Sequence, residues 1–416
     1  MATAAVSAAP LDGVVYAPPA RQRIDSIDLL RGLVMVIMML DHVRDYFHYA
    51  NFQFDPTNLE KTTAALFMTR WITHYCAPVF FFLAGTGAFL RRSRGASAAE
   101  ISRFLASRGL WLIVLELTVI RFLISGDLSP NGLLLGQTIW ALGWSMIALS
   151  VLVYLPLRAI GAFGGAMVLI HNAFDGLKLP SCAPDAPQCG AGDLLAYVLH
   201  VQGPLQLWPN GPVFLAFYPL IPWIGVMALG YVFGRLYTMD PLARRRILLR
   251  LGLGLITLFV VLRATNLYGD PSRWSVQPRP GFTVLSFLNV TKYPPSLLFL
   301  CMTIGPAILL LAFMERERRS AIGRALVTYG RVPMLFYVLQ WVWAHGLAFP
   351  AFALAGKPTS ALFLFHENPP EVLARAGFSL AVVYVVWVVG VFALYPICKW
   401  YAELKRRRND WWLGYL

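Results

Sequence analysis

Long apolar segments separated by short polar ones run along almost the whole chain. A bilayer core about 30 Å thick requires roughly 20 mostly apolar residues in a helix. Ten segments approach this pattern and predict membrane-spanning helices: 27–47, 76–91, 104–124, 134–157, 159–174, 213–237, 247–267, 296–314, 332–350 and 378–399. The sequence therefore predicts an all-α, polytopic integral membrane protein. We expect residues 1–22 to be a disordered cytoplasmic tail, 23–402 the membrane domain and 403–416 a basic cytoplasmic tail.

The distribution of basic residues predicts the orientation. Lysine and arginine are about three times as frequent in alternate connecting segments, starting with the N-terminal one, as in the others. Because basic residues accumulate on the cytoplasmic side, both termini are predicted to be cytoplasmic. The formal net charge of +14 arises from these short clusters, so it does not indicate nucleic-acid binding.

Composition agrees with a membrane protein. The chain is 58% hydrophobic and 13% charged, whereas soluble domains carry roughly a quarter charged residues. Cys182 and Cys189 lie in one predicted outer segment, where an oxidising compartment favours a disulfide; two free thiols are the alternative. No Cys and His spacing typical of a metal site is present, so no metal is predicted.

Charged and polar residues concentrate in the first predicted span. Charges inside a membrane are costly and usually mark a site or a pathway. Arg31 and His42 are eleven residues apart, which places them about 20° apart on a helix and roughly 16 Å apart along it. Asp28 is spaced to pair with Arg31, and Asp41 with Arg44. The alternative is that these groups are merely interfacial, with Arg31 extending towards water.

A second histidine, His74, begins the next predicted span. Since that helix runs in the opposite direction, His74 and His42 are predicted to lie at similar depth. Two converging imidazoles suit proton transfer near neutral pH. An interfacial histidine bonded to a loop is the alternative for His74.

Further polar residues and prolines lie in the later spans. The polar ones are Glu116 and Arg121 in the third span, and Arg263 and Asn266 at the end of the seventh. Pro219 and Pro222 predict a broken or kinked helix in the sixth. Broken helices line cavities in transporters and in enzymes alike, so this feature does not choose between those functions.

The block RIDSIDLLRGLVMVIMMLDH, at residues 23–42, resembles the start of the catalytic domain of the heparan-α-glucosaminide N-acetyltransferase family. The resemblance continues through HYCAPVFFFLAGTGAFL, YPLIPWIGVMALGYVFGRL, RATNLYGDPSRW and KYPPSLLFLCMTIGP, and covers residues 23–400. The spacing of Arg31 and His42 also resembles the arginine–histidine motif of bacterial membrane acyltransferases that modify surface polysaccharides.

The resemblance implies transfer of an acyl group, acetyl above all, from cytoplasmic acetyl-CoA or another acyl-CoA. The acceptor would be a glycan or another small molecule at the outer face of a bacterial cytoplasmic membrane. His42 would be the general base or a transient acyl carrier, beside Asp41, with His74 as a second base or an oxyanion donor. The remaining implied roles are donor binding by Asp28 and Arg31, and substrate binding by Arg263, Asn266, Glu116 and Arg121.

Two other functions remain open at this level. A transporter or flippase for a lipid-linked or small polar substrate would use the same intramembrane charges, although no convincing internal repeat supports it. A scaffold without chemistry would leave those charges unexplained. The lipid bilayer is the predicted surrounding, and a homo-oligomer is possible because small-residue faces pack within and between chains.

Overall fold

The computed structural model describes residues 25–126, 129, 132–183, 189–209, 211–315, 320–363, 367–408 and 410–415. The tail predicted for residues 1–22 lies outside this part. Helices dominate, and in chain order they are α1 (Asp25–Phe47), α2 (Ala64–Thr73), α3 (Cys76–Ser93), α4 (Ala98–Leu115), α5 (Arg121–Ser125), α6 (Thr138–Leu152), α7 (Leu157–Ile170), α8 (Ala191–Leu199), α9 (Leu220–Phe233), α10 (Pro241–Thr265), α11 (Phe282–Leu288), α12 (Leu297–Met314), α13 (Ala321–Arg331), α14 (Pro333–Leu354), α15 (Pro370–Arg375) and α16 (Leu380–Arg407). The three short strands are β1 (Leu134–Gly136), β2 (Gly203–Gln206) and β3 (Val213–Ala216).

Seven helical segments of the described chain are long and apolar enough to cross a membrane. They are Ala64–Ser93, Leu157–Phe174, Leu220–Thr238, Pro241–Thr265, Leu297–Met314, Pro333–Leu354 and Leu380–Arg407. The chain is thus a mostly helical integral membrane protein, as predicted. Each of the ten predicted segments contains a helix, whereas ten spans and cytoplasmic termini remain predictions.

Two predicted spans begin with a short β-strand, within a chain that is otherwise mostly helical. In the sheet, ordered β1-β3-β2, β3 pairs parallel with β1 and antiparallel with β2. β3 alternates half-buried and buried side chains, as strands do. Pro219 then fixes the extended backbone that precedes α9. The paired strands β1 and β3 therefore lead directly into α6 and α9, and the sheet holds the N-termini of these two helices side by side.

Helix α1 lies inside the bundle, in contact with α2, α3, α12, α13, α14 and α16. Its closest neighbour is α13, and a glycine on each helix makes the approach possible. A Cβ atom at Gly32 would lie 1.8 Å from the carbonyl oxygen of Leu326, and one at Gly330 would lie 1.9 Å from that of Asp28. Only glycine fits at such a backbone contact. This close packing of α1 against its neighbours fixes the positions of the polar residues that α1 carries.

Candidate functional site

Two cavities lie on one side of α1. The first, which we name the His42 cavity, has a volume of about 540 Å³ and is lined mainly by polar side chains near the C-terminal end of α1. The second, the Arg31 cavity, has a volume of about 410 Å³ and lies towards the N-terminal end. The predicted shared face of Arg31 and His42 therefore corresponds to two cavities on one side of the same helix.

His42 is a buried lining residue of the His42 cavity. Its ring stacks on Trp341 with centroids 3.6 Å apart and planes 20° apart, and Tyr337 packs edge-on at 6.2 Å. Both aromatic residues project from one face of α14, since they are four residues apart. The buried Nδ1 of His42 has no hydrogen-bond partner among the described residues. The imidazole is thus fixed in orientation by stacking, with one nitrogen that none of the described protein groups binds.

Asp41 forms the centre of an ionic cluster beside His42. Its carboxylate accepts hydrogen bonds from Arg44 at 2.8 Å, from Arg70 at 2.8 and 2.6 Å, and from Thr73 at 2.9 Å. Arg44 also donates to Asp45 at 2.5 Å. The predicted pairing of Asp41 with Arg44 is therefore present. Because two arginines and a hydroxyl hold the carboxylate, Asp41 orders the wall of the His42 cavity.

The Arg31 cavity has a mainly apolar wall and three arginines. Its apolar lining comes chiefly from α1, α3, α4 and α6, and its charged lining residues are Arg31, Arg91 and Arg108. Arg31 bonds to Asp28 at 3.2 Å, as predicted, and to the carbonyl oxygen of Gly330 at 3.0 Å. A slot of this kind suits a long, flexible molecule with phosphate groups at one end.

Thr138 and Tyr337 line both cavities. Thr138 is the first residue of α6, directly after the sheet, and Tyr337 is buried on α14. Both cavities therefore extend to the same two hydroxyl-bearing side chains. We refer to this place as the junction.

His74 lines a third, polar cavity of about 210 Å³, which we name the His74 cavity. This cavity shares four lining residues with the His42 cavity: Asp55, Arg70, Lys292 and Tyr293. The ring of His74 packs on Phe299 with centroids 5.4 Å apart, not on His42. The two histidines thus flank one ionic cluster from adjoining cavities, and the structure does not bring their rings together.

Glu116 and Arg121 lie away from the linings of these three cavities. Glu116 begins a π-helical turn between α4 and α5 and is fully buried. Its carboxylate accepts the backbone N–H groups of Ile139 at 3.0 Å and Trp140 at 3.2 Å. It therefore caps the N-terminus of α6 and fixes Thr138. Arg121 is buried and donates to the carbonyl of Ser129 at 2.7 Å.

Arg263 and Asn266 bond to the loop between α10 and α12. Asn266 exchanges two hydrogen bonds with the backbone of Trp274. Arg263 is 1% exposed, and its guanidinium donates to four backbone carbonyls, those of Ser272, Ser286, Phe287 and Asn289. These contacts leave Arg263 no free face towards the cavities, and they brace the loop that carries Lys292 and Tyr293.

Cys182 and Cys189 are joined by a disulfide with their Cα atoms 5.5 Å apart. The remaining thiols, Cys76, Cys301 and Cys398, are buried. Within the described ranges, no group of three or more His, Cys, Asp or Glu side chains is placed to hold a metal ion.

Sequence reasoning missed Arg70 and Lys292. Arg70 lies on α2, a helix of ten residues that falls outside the ten segments predicted as spans. Its signal was the spacing of four residues to His74, which places both on one helix face. Lys292 lies in the KYPP segment, and no charge pattern marked it as part of a site.

The catalytic-domain family model of heparan-alpha-glucosaminide N-acetyltransferase matches residues 23–263. The match covers more than half of the chain and includes α1, both histidines and the junction residue Thr138. No curated protein matches the chain. By this match, the chain belongs to the catalytic-domain family of heparan-alpha-glucosaminide N-acetyltransferase.

Proposed function

We propose that the protein transfers an acetyl group from acetyl-CoA in the Arg31 cavity to a sugar acceptor in the His42 cavity. The family is one of membrane acetyltransferases, which implies an acyl-CoA donor and a sugar acceptor. The observation that carries the proposal is the junction, where a phosphate-compatible slot and a histidine-bearing polar cavity share Thr138 and Tyr337. With the predicted orientation, the donor binds from the cytoplasm and the acceptor from the outer face.

Successive parts of the Arg31 cavity match the phosphates, the pantetheine arm and the thioester of acetyl-CoA. Arg31, Arg91 and Arg108 are suited to the phosphates, because guanidinium groups bind phosphate oxygens with two parallel hydrogen bonds. The apolar wall suits the pantetheine arm. The thioester then reaches Thr138 and Tyr337 at the far end, next to His42.

His42 acts as the general base in this proposal. It takes the proton of the acceptor hydroxyl or amine while the acceptor oxygen or nitrogen bonds to the acyl carbon. The C–S bond then breaks, and the protonated imidazole returns its proton to the thiolate of coenzyme A. Stacking on Trp341 holds the ring in one orientation, which such a transfer requires. An acceptor that extends from the His42 cavity into the adjoining His74 cavity contacts His74.

Purified protein in nanodiscs, supplied with radiolabelled acetyl-CoA and methyl α-glucosaminide, tests the proposal. We expect acetylated product from the wild type, and at least a hundredfold lower kcat from His42→Ala, the range typical of a lost general base. We expect His74→Ala to act mainly on the KM for the acceptor.

Two arginines of α4 provide a matched comparison for the donor site. Arg108 lines the Arg31 cavity, whereas Arg103 is exposed. Arg108→Gln should raise the KM for acetyl-CoA, about tenfold for one lost charge-assisted contact, and Arg103→Gln should not. No acetyl transfer and no acetyl-CoA binding by folded wild type would overturn the proposal, and substrate counterflow in vesicles would then favour the transporter.

A further inference from the structure

A row of polar side chains connects the wall of the His42 cavity with the junction. The phenol of Tyr293 interacts with the ammonium of Lys292 and with the hydroxyl of Tyr218. Tyr218 in turn interacts with the hydroxyl of Thr138. All four residues line the His42 cavity, and the last one lies at the junction.

The small sheet aligns two members of this row. In the parallel pair β1–β3, Gly136 lies opposite Ala216. Thr138 and Tyr218 each follow two residues later, and the carbonyl of Gly136 accepts the backbone N–H of Tyr218 at 3.1 Å. Because both residues follow closely on the paired ends of β1 and β3, the pairing register brings Tyr218 close to Thr138.

The loop after α11 positions the other two members. Asp270 accepts the backbone N–H of Thr291 at 2.8 Å and the hydroxyl of Ser296 at 2.6 Å, on either side of Lys292 and Tyr293. The rings of Tyr293 and Tyr218 pack edge-on with centroids 5.3 Å apart. No carboxylate within the described ranges forms an ion pair with Lys292.

We propose that Thr138 is a catalytic residue whose hydroxyl donates to the carbonyl oxygen of the acyl group, and that Tyr218, Tyr293 and Lys292 are positioning residues that polarise it. This inference rests on the proposed acetyl transfer. Lysine can only donate, so the proposed row begins at Lys292. In this proposal each hydroxyl, which can both accept and donate, accepts from one neighbour and donates to the next. Hydrogen bonds in such a row strengthen one another. Burial raises the pKa of Tyr293, but the positive charges of Lys292 and Arg70 together lower the pKa by a larger amount. The phenol is therefore more acidic than usual.

The step needs no additional reactant. As the acceptor bonds to the acyl carbon, the carbonyl oxygen becomes an oxyanion, and Thr138 holds it by a hydrogen bond without losing its proton. When the C–S bond breaks, the carbonyl re-forms. A hydrogen-bond donor that is already positioned where negative charge develops lowers the activation barrier of acyl-transfer reactions.

The first test compares Thr138→Val, which removes only the hydroxyl, with Thr138→Ser, which retains it. With acetyl-CoA and methyl α-glucosaminide, we expect Thr138→Val to lower kcat about a hundredfold at little-changed KM, and Thr138→Ser to restore most of it. Equal kcat for wild type and Thr138→Val would overturn the inference while leaving the proposed acetyl transfer intact. An inactive wild type would instead overturn the proposed function, and this inference with it.

The second test asks whether the other residues act through Thr138. Tyr293→Phe and Tyr218→Phe should each lower kcat about tenfold, with Tyr231→Phe as the control because Tyr231 is a tyrosine of α9 outside the cavity linings. In a Thr138→Val background, both substitutions should lose their effect. Fully multiplicative effects would show that the tyrosines act independently of Thr138. If Thr138→Val is too unstable to assay, the two tyrosine variants in the wild-type background still decide the matter, since an unchanged kcat in both would overturn the inference.

Discussion

At the scale of single residues, the contrast between His42 and Arg263 separates reactive groups from bracing groups. Both are polar, buried and near the end of a long helix. The Nδ1 atom of His42 has no hydrogen-bond partner among the described residues. The guanidinium of Arg263, in contrast, donates hydrogen bonds to four backbone carbonyls. Burial of a charge therefore does not by itself indicate contact with substrate.

The bracing role of Arg263 predicts a loss of stability rather than of acceptor affinity. Arg263→Met leaves four carbonyls without their donor and removes the positive charge beside Asp270, which we expect to cost roughly 3–5 kcal/mol. Thermal unfolding of the detergent-solubilised protein measures this, with Arg273→Met as the control because Arg273 is exposed. An unchanged Tm together with a raised KM for the acceptor would restore the substrate-binding role that the sequence implies for Arg263.

Some site residues could be predicted from the sequence and others could not. The helical angle between Arg31 and His42 is fixed by their spacing, so their common side of α1 followed directly. Arg70 and Lys292 join the site only through the folding of α2 and of the loop after α11. No local pattern carries that tertiary information, and a lone lysine in an outer segment is most often solvated.

At the scale of elements, two of the three strands, β1 and β3, show where hydropathy does not distinguish a strand from a helix. LLG and VFLA are short apolar runs that precede apolar helices, so each merges with the helix that follows. Periodicity cannot separate a buried strand of this length from a helix turn. Of the two prolines that predicted a broken or kinked helix here, Pro219 stands directly before α9, whereas Pro222 lies in the first turn of α9.

The contact between α1 and α13 predicts a second loss of stability. Gly330→Ala would place a Cβ atom 1.9 Å from the carbonyl oxygen of Asp28. The helices must then move apart, which we expect to cost about 1–3 kcal/mol and to displace Arg31 from Gly330. Gly254→Ala on α10 is the matched control, since no heavy atom lies within 4 Å of its added Cβ. Similar Tm values for the two variants would contradict the close contact.

At the scale of the whole molecule, the direction of acetyl transfer depends on how the protein is oriented in the membrane. We expect the segment between α3 and α4 to be cytoplasmic and the segment between α1 and α2 to face outwards. In intact cells, an impermeant maleimide should therefore label Asn58→Cys, and label Ser93→Cys only after permeabilisation. The native cysteines interfere little, since three are buried and two form a disulfide. Labelling in the opposite pattern would reverse the assignment of donor and acceptor sides.

The junction of two cavities at Thr138 and Tyr337 also has an electrical consequence. Moving one elementary charge through a membrane potential of 100 mV costs about 2.3 kcal/mol. In the proposed reaction, an acyl group leaves the inner thioester for the outer acceptor, and one proton travels the opposite way to the coenzyme A thiolate. Formally, the acyl group carries one positive charge outwards, as an acyl cation, and the proton carries one positive charge inwards. The two displacements of charge therefore cancel. Turnover should thus be the same in energised and in depolarised cells.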